Sequence, residues 1–91
     1  GNPHLTNDEI NNSRQQIITG RYNAAVIVKY LEMEITLFNR YNPGFDNEVA
    51  TNGHYQLRLP HEKMDLFIVK KPEILNESLQ LLLKPLHNNS R

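Results

Sequence analysis

The sequence predicts a small α+β domain in which two short antiparallel strands pack against two helices. Residues 15–19 and 55–59 combine β-branched or alternating apolar residues with turn residues at their ends, as short strands do. Between them, residues 24–33 and 35–41 carry apolar residues at helical spacing. The order strand, helix, helix, strand lets the strands pair directly, with both helices on one face of the two-stranded sheet.

Extra helices are expected on both sides of this core. Thr6 and Glu9 have the spacing of a capping box, which predicts a short helix over about residues 7–13. Another short helix is expected after residue 60, and Pro72 is expected to open a last helix, because a first helical turn tolerates proline. The leucines that give this last helix one apolar face are Leu75, Leu79, Leu82 and Leu86.

These elements divide the chain into four parts. We expect residues 1–14 to form an N-terminal extension, residues 15–60 the central domain and residues 61–87 a C-terminal helical extension. Residues 88–91 have no apolar side chain and are expected to be a disordered tail. Apolar residues make up 38% of the 91 positions, which is enough for one compact core. Because the chain begins at Gly1 without Met, we expect a fragment of a longer protein.

Composition narrows the classes of partner. Lys plus Arg and Asp plus Glu both number 10, so charge gives no reason to expect binding to nucleic acid. The absence of cysteine excludes disulfides and thiolate zinc sites, and the four histidines lack metal-site spacing. An apolar run such as residues 24–28 is far shorter than the roughly 20 residues of a membrane helix. We therefore expect no metal, no cofactor and no membrane insertion by this chain.

Three stretches carry a family resemblance. Residues 17–19 read Ile-Ile-Thr, residues 41–44 read Tyr-Asn-Pro-Gly, and residues 57–60 read Leu-Arg-Leu-Pro. With the helices between them, they resemble the LysM domain, whose pattern runs strand, capped helix, second helix ending in Leu-Asn-Pro, and closing strand ending in Leu-x-Ile-Pro. The closer likeness, over roughly residues 15–70, is to the region after the catalytic domain in membrane-bound lytic murein transglycosylase D proteins of Bacteroidetes.

This resemblance implies a non-catalytic module that binds N-acetylglucosamine-containing strands of peptidoglycan. Its implied location is the periplasm or cell envelope, and its second partner is the catalytic domain of the parent protein. A LysM groove lies between the loop that enters the first helix and the loop that leaves the second. The corresponding candidate glycan-binding residues are Gly20, Arg21, Tyr22, Asn23, Asn42, Pro43, Gly44, Phe45, Asp46 and Asn47.

Different roles are expected within this set. N-acetylated sugars need carboxamides and backbone amides for the acetamido group and an apolar or aromatic face for the ring. The residues expected to bond the acetamido group are Asn23, Asn42, Asp46 and Asn47, and those expected to stack on the ring are Tyr22 and Phe45. Structural alternatives are open as well: Asn23 as a helix cap, Asn42 as a helix terminator and Phe45 as a core residue.

Two alternative functions remain open. The domain could have lost glycan binding and serve as a structural or interaction domain that docks through the face of Leu75, Leu79 and Leu82. The other alternative is catalysis by Glu77, because lytic transglycosylases carry their general acid in a Glu-Ser pair on a helix. However, we expect Glu77 to be solvated with nothing to raise its pKa, and the family's accompanying Gly-Leu-Met-Gln-like and Ala-Tyr-Asn motifs do not occur. No catalytic residue is therefore assigned.

Overall fold

The computed structural model of the protein describes residues 5–83. The expected tail of residues 88–91 and Leu86 lie outside the described residues. Within them, the α+β class and a two-stranded antiparallel sheet are confirmed. The elements are α1 (Asn7–Asn11), β1 (Ser13–Thr19), α2 (Ala24–Leu31), α3 (Ile35–Tyr41), α4 (Phe45–Asn52), β2 (His54–Pro60) and α5 (His61–Leu83).

The two strands pair as the alternating pattern predicts. Ile18 lies opposite Tyr55, and the ladder runs over the whole of both strands. Side chains alternate across a strand, so one face of the sheet points inward. Ile18, Leu57 and Leu59 lie on that face and are almost fully buried, whereas Ile17 on the other face is 67% exposed. The inner face therefore forms one wall of the core.

Three helices lie between the strands, where two were expected. The additional helix is α4, whose buried residues are only Phe45 and Val49, four positions apart. Because the rest of this segment is polar apart from Ala50, its periodicity gives little sign of a helix. Gly44 and Gly53 bound the helix with φ angles of 66° and 79°, which glycine adopts without steric cost. Gly53 thus marks the end of a helix as well as the entry to β2.

The two helices expected after β2 are one continuous helix, α5, with Pro72 inside it. Proline cannot donate to the carbonyl four residues earlier, which here belongs to Ile68. Both residues are exposed, so water can bond the carbonyl that Pro72 leaves unpaired. The expected helix boundary at this proline was therefore wrong, because an exposed proline costs a helix less than a buried one.

The core lies between the inner face of the sheet, α2 and α5. Val26, Ile27 and Leu31 of α2 are buried, so this helix lies against the centre of the core. α5 packs against α2 and against both strands, and it contributes Met64, Phe67 and Ile74 to the same core. Of the leucines expected to form its apolar face, Leu75 packs against the core, whereas Leu79 is 40% exposed and Leu82 is 48% exposed.

α1 is held by the predicted capping box. The hydroxyl of Thr6 accepts from the Glu9 backbone N–H at 3.1 Å, and the Glu9 carboxylate accepts from the Thr6 backbone N–H at 2.9 Å. The same carboxylate binds the guanidinium of Arg40 through two nitrogens, at 2.8 and 2.9 Å. These bonds to Arg40 and Thr6 lower the pKa of Glu9 to about 2, and they tie α1 to α3.

Asn42, directly after α3, is fully buried and bonded to β2. Its Oδ1 accepts from the Arg58 backbone N–H at 2.7 Å, and its Nδ2 donates to the Arg58 carbonyl at 2.8 Å. Nδ2 also lies 3.3 Å from the carbonyl of Phe38. The carboxamide thus pairs with the edge of β2 that faces away from β1, and it locks the end of α3 onto the sheet.

We predict that Asn42→Ala destabilises the protein by about 1–3 kcal/mol, because it leaves the N–H and carbonyl of Arg58 without partners in a part-buried place. Urea unfolding measures this loss. Asn39→Ala is the matched control, since Asn39 is an exposed residue of the same helix and should change stability by less than about 0.5 kcal/mol. Equal stability of the two variants would contradict the stabilising role of the bonds between Asn42 and Arg58.

Candidate functional site

A cleft of about 340 Å³ opens where the loop before α2 meets the start of α4 and the end of α5. It brings together five of the predicted glycan-binding residues, two from α4 and three from the loop. These residues are Arg21, Tyr22, Asn23, Asp46 and Asn47. The remaining lining residues were not predicted: Val49, Ala50, Ser78, Leu81 and Leu82.

Hydrogen bonds at the start of α2 hold the walls of this cleft together. Asn23 caps the helix, its Oδ1 accepting from the Val26 N–H at 3.2 Å. The backbone N–H of Asn23 donates to the hydroxyl of Ser78 on α5 at 3.0 Å. Next to it, the Ala24 N–H donates to the carboxylate of Asp46 on α4 at 2.9 Å. Three separate elements therefore meet at one helix N-terminus, and the cleft has fixed walls.

Several polar groups on these walls remain available to a ligand. Arg21 and Asn47 are exposed and have no hydrogen-bond partner among residues 5–83. One carboxylate oxygen of Asp46 bonds Ala24, and the other has no partner among residues 5–83. Asn23 uses its Oδ1 as the helix cap, and its Nδ2 has no partner among the same residues. The cleft thus offers both donors and acceptors.

The two aromatic rings expected to stack on a sugar are both buried. Tyr22 is 5% exposed, and its ring packs against Phe67 with 5.7 Å between the centroids. Burial raises the pKa of its hydroxyl. Phe45 is 2% exposed and fills the core between Phe38 and Tyr55. Neither ring can lie flat on a sugar, and the apolar wall of the cleft comes from Leu81 and Leu82 of α5 instead.

The other predicted residues have structural positions. Asn42 is buried against β2 and does not line the cleft. The carbonyl of Pro43 accepts from the Tyr55 hydroxyl at 3.0 Å, and Gly44 starts α4. Gly20 has a φ of 126°, and a Cβ at this position would lie 3.5 Å from the side chain of Leu75. These four residues shape the loops, and the residues that line the cleft are the ones a ligand can contact directly.

The residues that sequence reasoning missed lie mostly on α5. Ser78 is a buried polar residue that follows Ile74 by one helical turn, so a serine within an otherwise apolar face was the available signal. That serine indicates a position beside the loop before α2 only when residues 61–83 are recognised as one helix that runs back to this loop. Leu81 and Leu82 follow Ser78 at helical spacing and reach the same cleft for that reason.

Glu77 lies beside the cleft in an ion-paired cluster. Its carboxylate accepts from the Tyr30 hydroxyl at 2.8 Å and from the ammonium of Lys29. The bonds to Lys29 and Tyr30 lower the pKa of Glu77, so the carboxylate is ionised near neutral pH. A glycosidic general acid needs a raised pKa, and the cluster opposes that role.

Neither a metal-binding group of side chains nor a membrane-spanning helix is found in the part of the chain that the structure describes. Within residues 5–83, no three His, Asp or Glu side chains lie close enough together to hold a metal ion. In the same range, no helix combines the length and the apolar character needed to cross a membrane.

We predict that Asp46→Ala destabilises the protein by about 1 kcal/mol, because the Ala24 N–H loses its acceptor and α4 loses a carboxylate near its N-terminus. Amide hydrogen exchange at Ala24 should become faster. Asn47→Ala is the matched control: it removes a neighbouring cleft residue without a hydrogen bond and should leave the exchange at Ala24 unchanged. Unchanged exchange in both variants would show that Asp46 does not join the loops.

Comparisons with known proteins assign no function to these residues. No protein-family model, curated protein or solved structure matches the chain.

Proposed function

We propose that the protein is a non-catalytic module that binds N-acetylglucosamine-containing glycan strands of peptidoglycan. The observation that carries this proposal is the convergence of residues 21–23 and 46–47 in one cleft. The LysM resemblance assigns the segments that contain them, residues 20–23 and 42–47, to sugar binding, and the second segment here runs into α4. The proposal takes β1, α2, α3 and β2 as a LysM-like arrangement, to which α4 is an addition. In this proposal the parent is a lytic transglycosylase of the bacterial periplasm or cell envelope.

The available groups suit an uncharged, N-acetylated sugar. The acetamido group has one donor and one acceptor, which Asp46 or Asn47 and the Nδ2 of Asn23 can bond. Leu81 and Leu82 supply an apolar surface for the ring face. A guanidinium and a carboxylate face the same cleft, so its charge favours neither anions nor cations.

Binding by this cleft alone should be weak. It is open to solvent and lacks an exposed aromatic ring, so little apolar area is buried on binding. A weak module is still useful when it is tethered, since a linker gives the partner domain a high effective concentration at the glycan. The second partner in this proposal is accordingly the catalytic domain of the parent protein.

We predict that the dimer of N-acetylglucosamine, titrated to millimolar concentration into ¹⁵N-labelled protein, shifts the amides of residues 21–23 and 46–50. Asn47→Ala should weaken binding about 2- to 10-fold, the value of one hydrogen bond. The control Asn39→Ala, which truncates an exposed carboxamide that does not line the cleft, should bind as the unchanged protein does. If no amide shifts, the proposal that this chain binds glycan is contradicted.

A second candidate function is docking through the end of α5. Four leucines are exposed there, with Leu83 at 76% the most exposed. An apolar patch on a monomer is often an interaction site. If a second copy covers it, light scattering at increasing protein concentration should show twice the chain mass, and Leu83→Asp should restore the single mass. A single mass at every concentration would contradict self-association.

A further inference from the structure

A second groove of about 330 Å³ lies next to the cleft. It runs between α2 and the C-terminal half of α5, and Leu81 lines both the groove and the cleft. The other residues that line the groove are Tyr30, Glu73, Asn76, Glu77 and Gln80.

The helical geometry of α5 explains why the two sites adjoin. Residues three and four apart share a helix face, so Ser78 and Leu82 point with Leu81 toward the cleft. Glu77 and Gln80 point with Leu81 toward the groove. Leu81, at 46% exposure, is therefore the boundary between two adjoining depressions. A ligand that occupies both depressions must pass over the side chain of Leu81, and two linked sugars supply one ring for each depression.

The groove carries unused groups for a hydroxylated ligand. Asn76 and Gln80 are exposed, and within residues 5–83 neither side chain has a hydrogen-bond partner. Each carboxamide offers donors and an acceptor, which match the hydroxyl and acetamido groups of a sugar. The opposite wall, Tyr30 of α2, is already ordered, because its hydroxyl donates to Glu77, which Lys29 also binds. Binding there does not have to freeze those side chains.

We infer that the glycan extends across Leu81 from the cleft into this second groove, so that the binding site takes an oligosaccharide of at least two sugars. The inference rests on the proposed glycan-binding function and adds a subsite formed by Asn76 and Gln80. Its role is to lengthen the bound segment, so longer oligosaccharides bind more tightly than the monosaccharide.

The test compares N-acetylglucosamine with its tetramer in NMR titrations of the labelled protein. The tetramer should shift the amides of Asn76, Glu77 and Gln80 together with those of residues 21–23 and 46–47, whereas the monosaccharide should shift only the cleft. Gln80→Ala should weaken binding of the tetramer about 2- to 10-fold and leave the monosaccharide affinity unchanged. Alanine has a high helix propensity, so α5 should stay intact in this variant.

Asn39→Ala is the control and should alter neither affinity, since Asn39 lies on α3 and lines neither site. If both sugars shift only the amides of the cleft, the second subsite is overturned. The proposal of glycan binding by the cleft would still hold in that case. The second subsite would also be overturned if Gln80→Ala bound the tetramer as tightly as the unchanged protein does. If neither sugar shifts any amide, both the proposed function and this inference are contradicted.

Discussion

The carboxamide of Asn42 bonds both the backbone N–H and the backbone carbonyl of Arg58, and the arrangement of the loops depends on this pairing. A two-stranded sheet has two open edges, and a buried part of such an edge costs free energy unless a partner is found. Here one side chain supplies the partner that a third strand otherwise would. Because Asn42 follows α3 directly, the same bonds fix where α4 begins, and hence where Asp46 meets the N-terminus of α2.

α5 completes the site from the other side. It starts where β2 ends, runs back over α2, and places Ser78 on the backbone N–H of Asn23. Both walls of the cleft therefore converge on the first turn of α2, one through a carboxylate and the other through a hydroxyl. A continuous α5 is essential to this geometry, since a break at Pro72 would detach Ser78 and the leucines after it from the strand that positions them.

Much of the fold follows from local pattern. The alternation around Leu57, the stripe of α2 and the capping box of Thr6 and Glu9 each reflect one short-range rule, and the structure has all three. α4 and the continuity of α5 depend on tertiary context: α4 buries only two residues, and the solvent exposure of Pro72 is invisible in the sequence. The LysM resemblance led to residues on two sides of the candidate cleft, but the burial of Tyr22 and Phe45 depends on tertiary packing that the sequence does not show.

Edge pairing by Asn42 is tested most directly by amide hydrogen exchange along β2. Arg58 and Gln56 point their backbone N–H groups to the same edge, because they are two residues apart and the ladder alternates. The N–H of Arg58 is bonded to Asn42, while that of Gln56 has no partner among residues 5–83. The Arg58 amide should therefore exchange much more slowly than the Gln56 amide. Equally fast exchange at both positions would contradict the pairing on which the cleft depends.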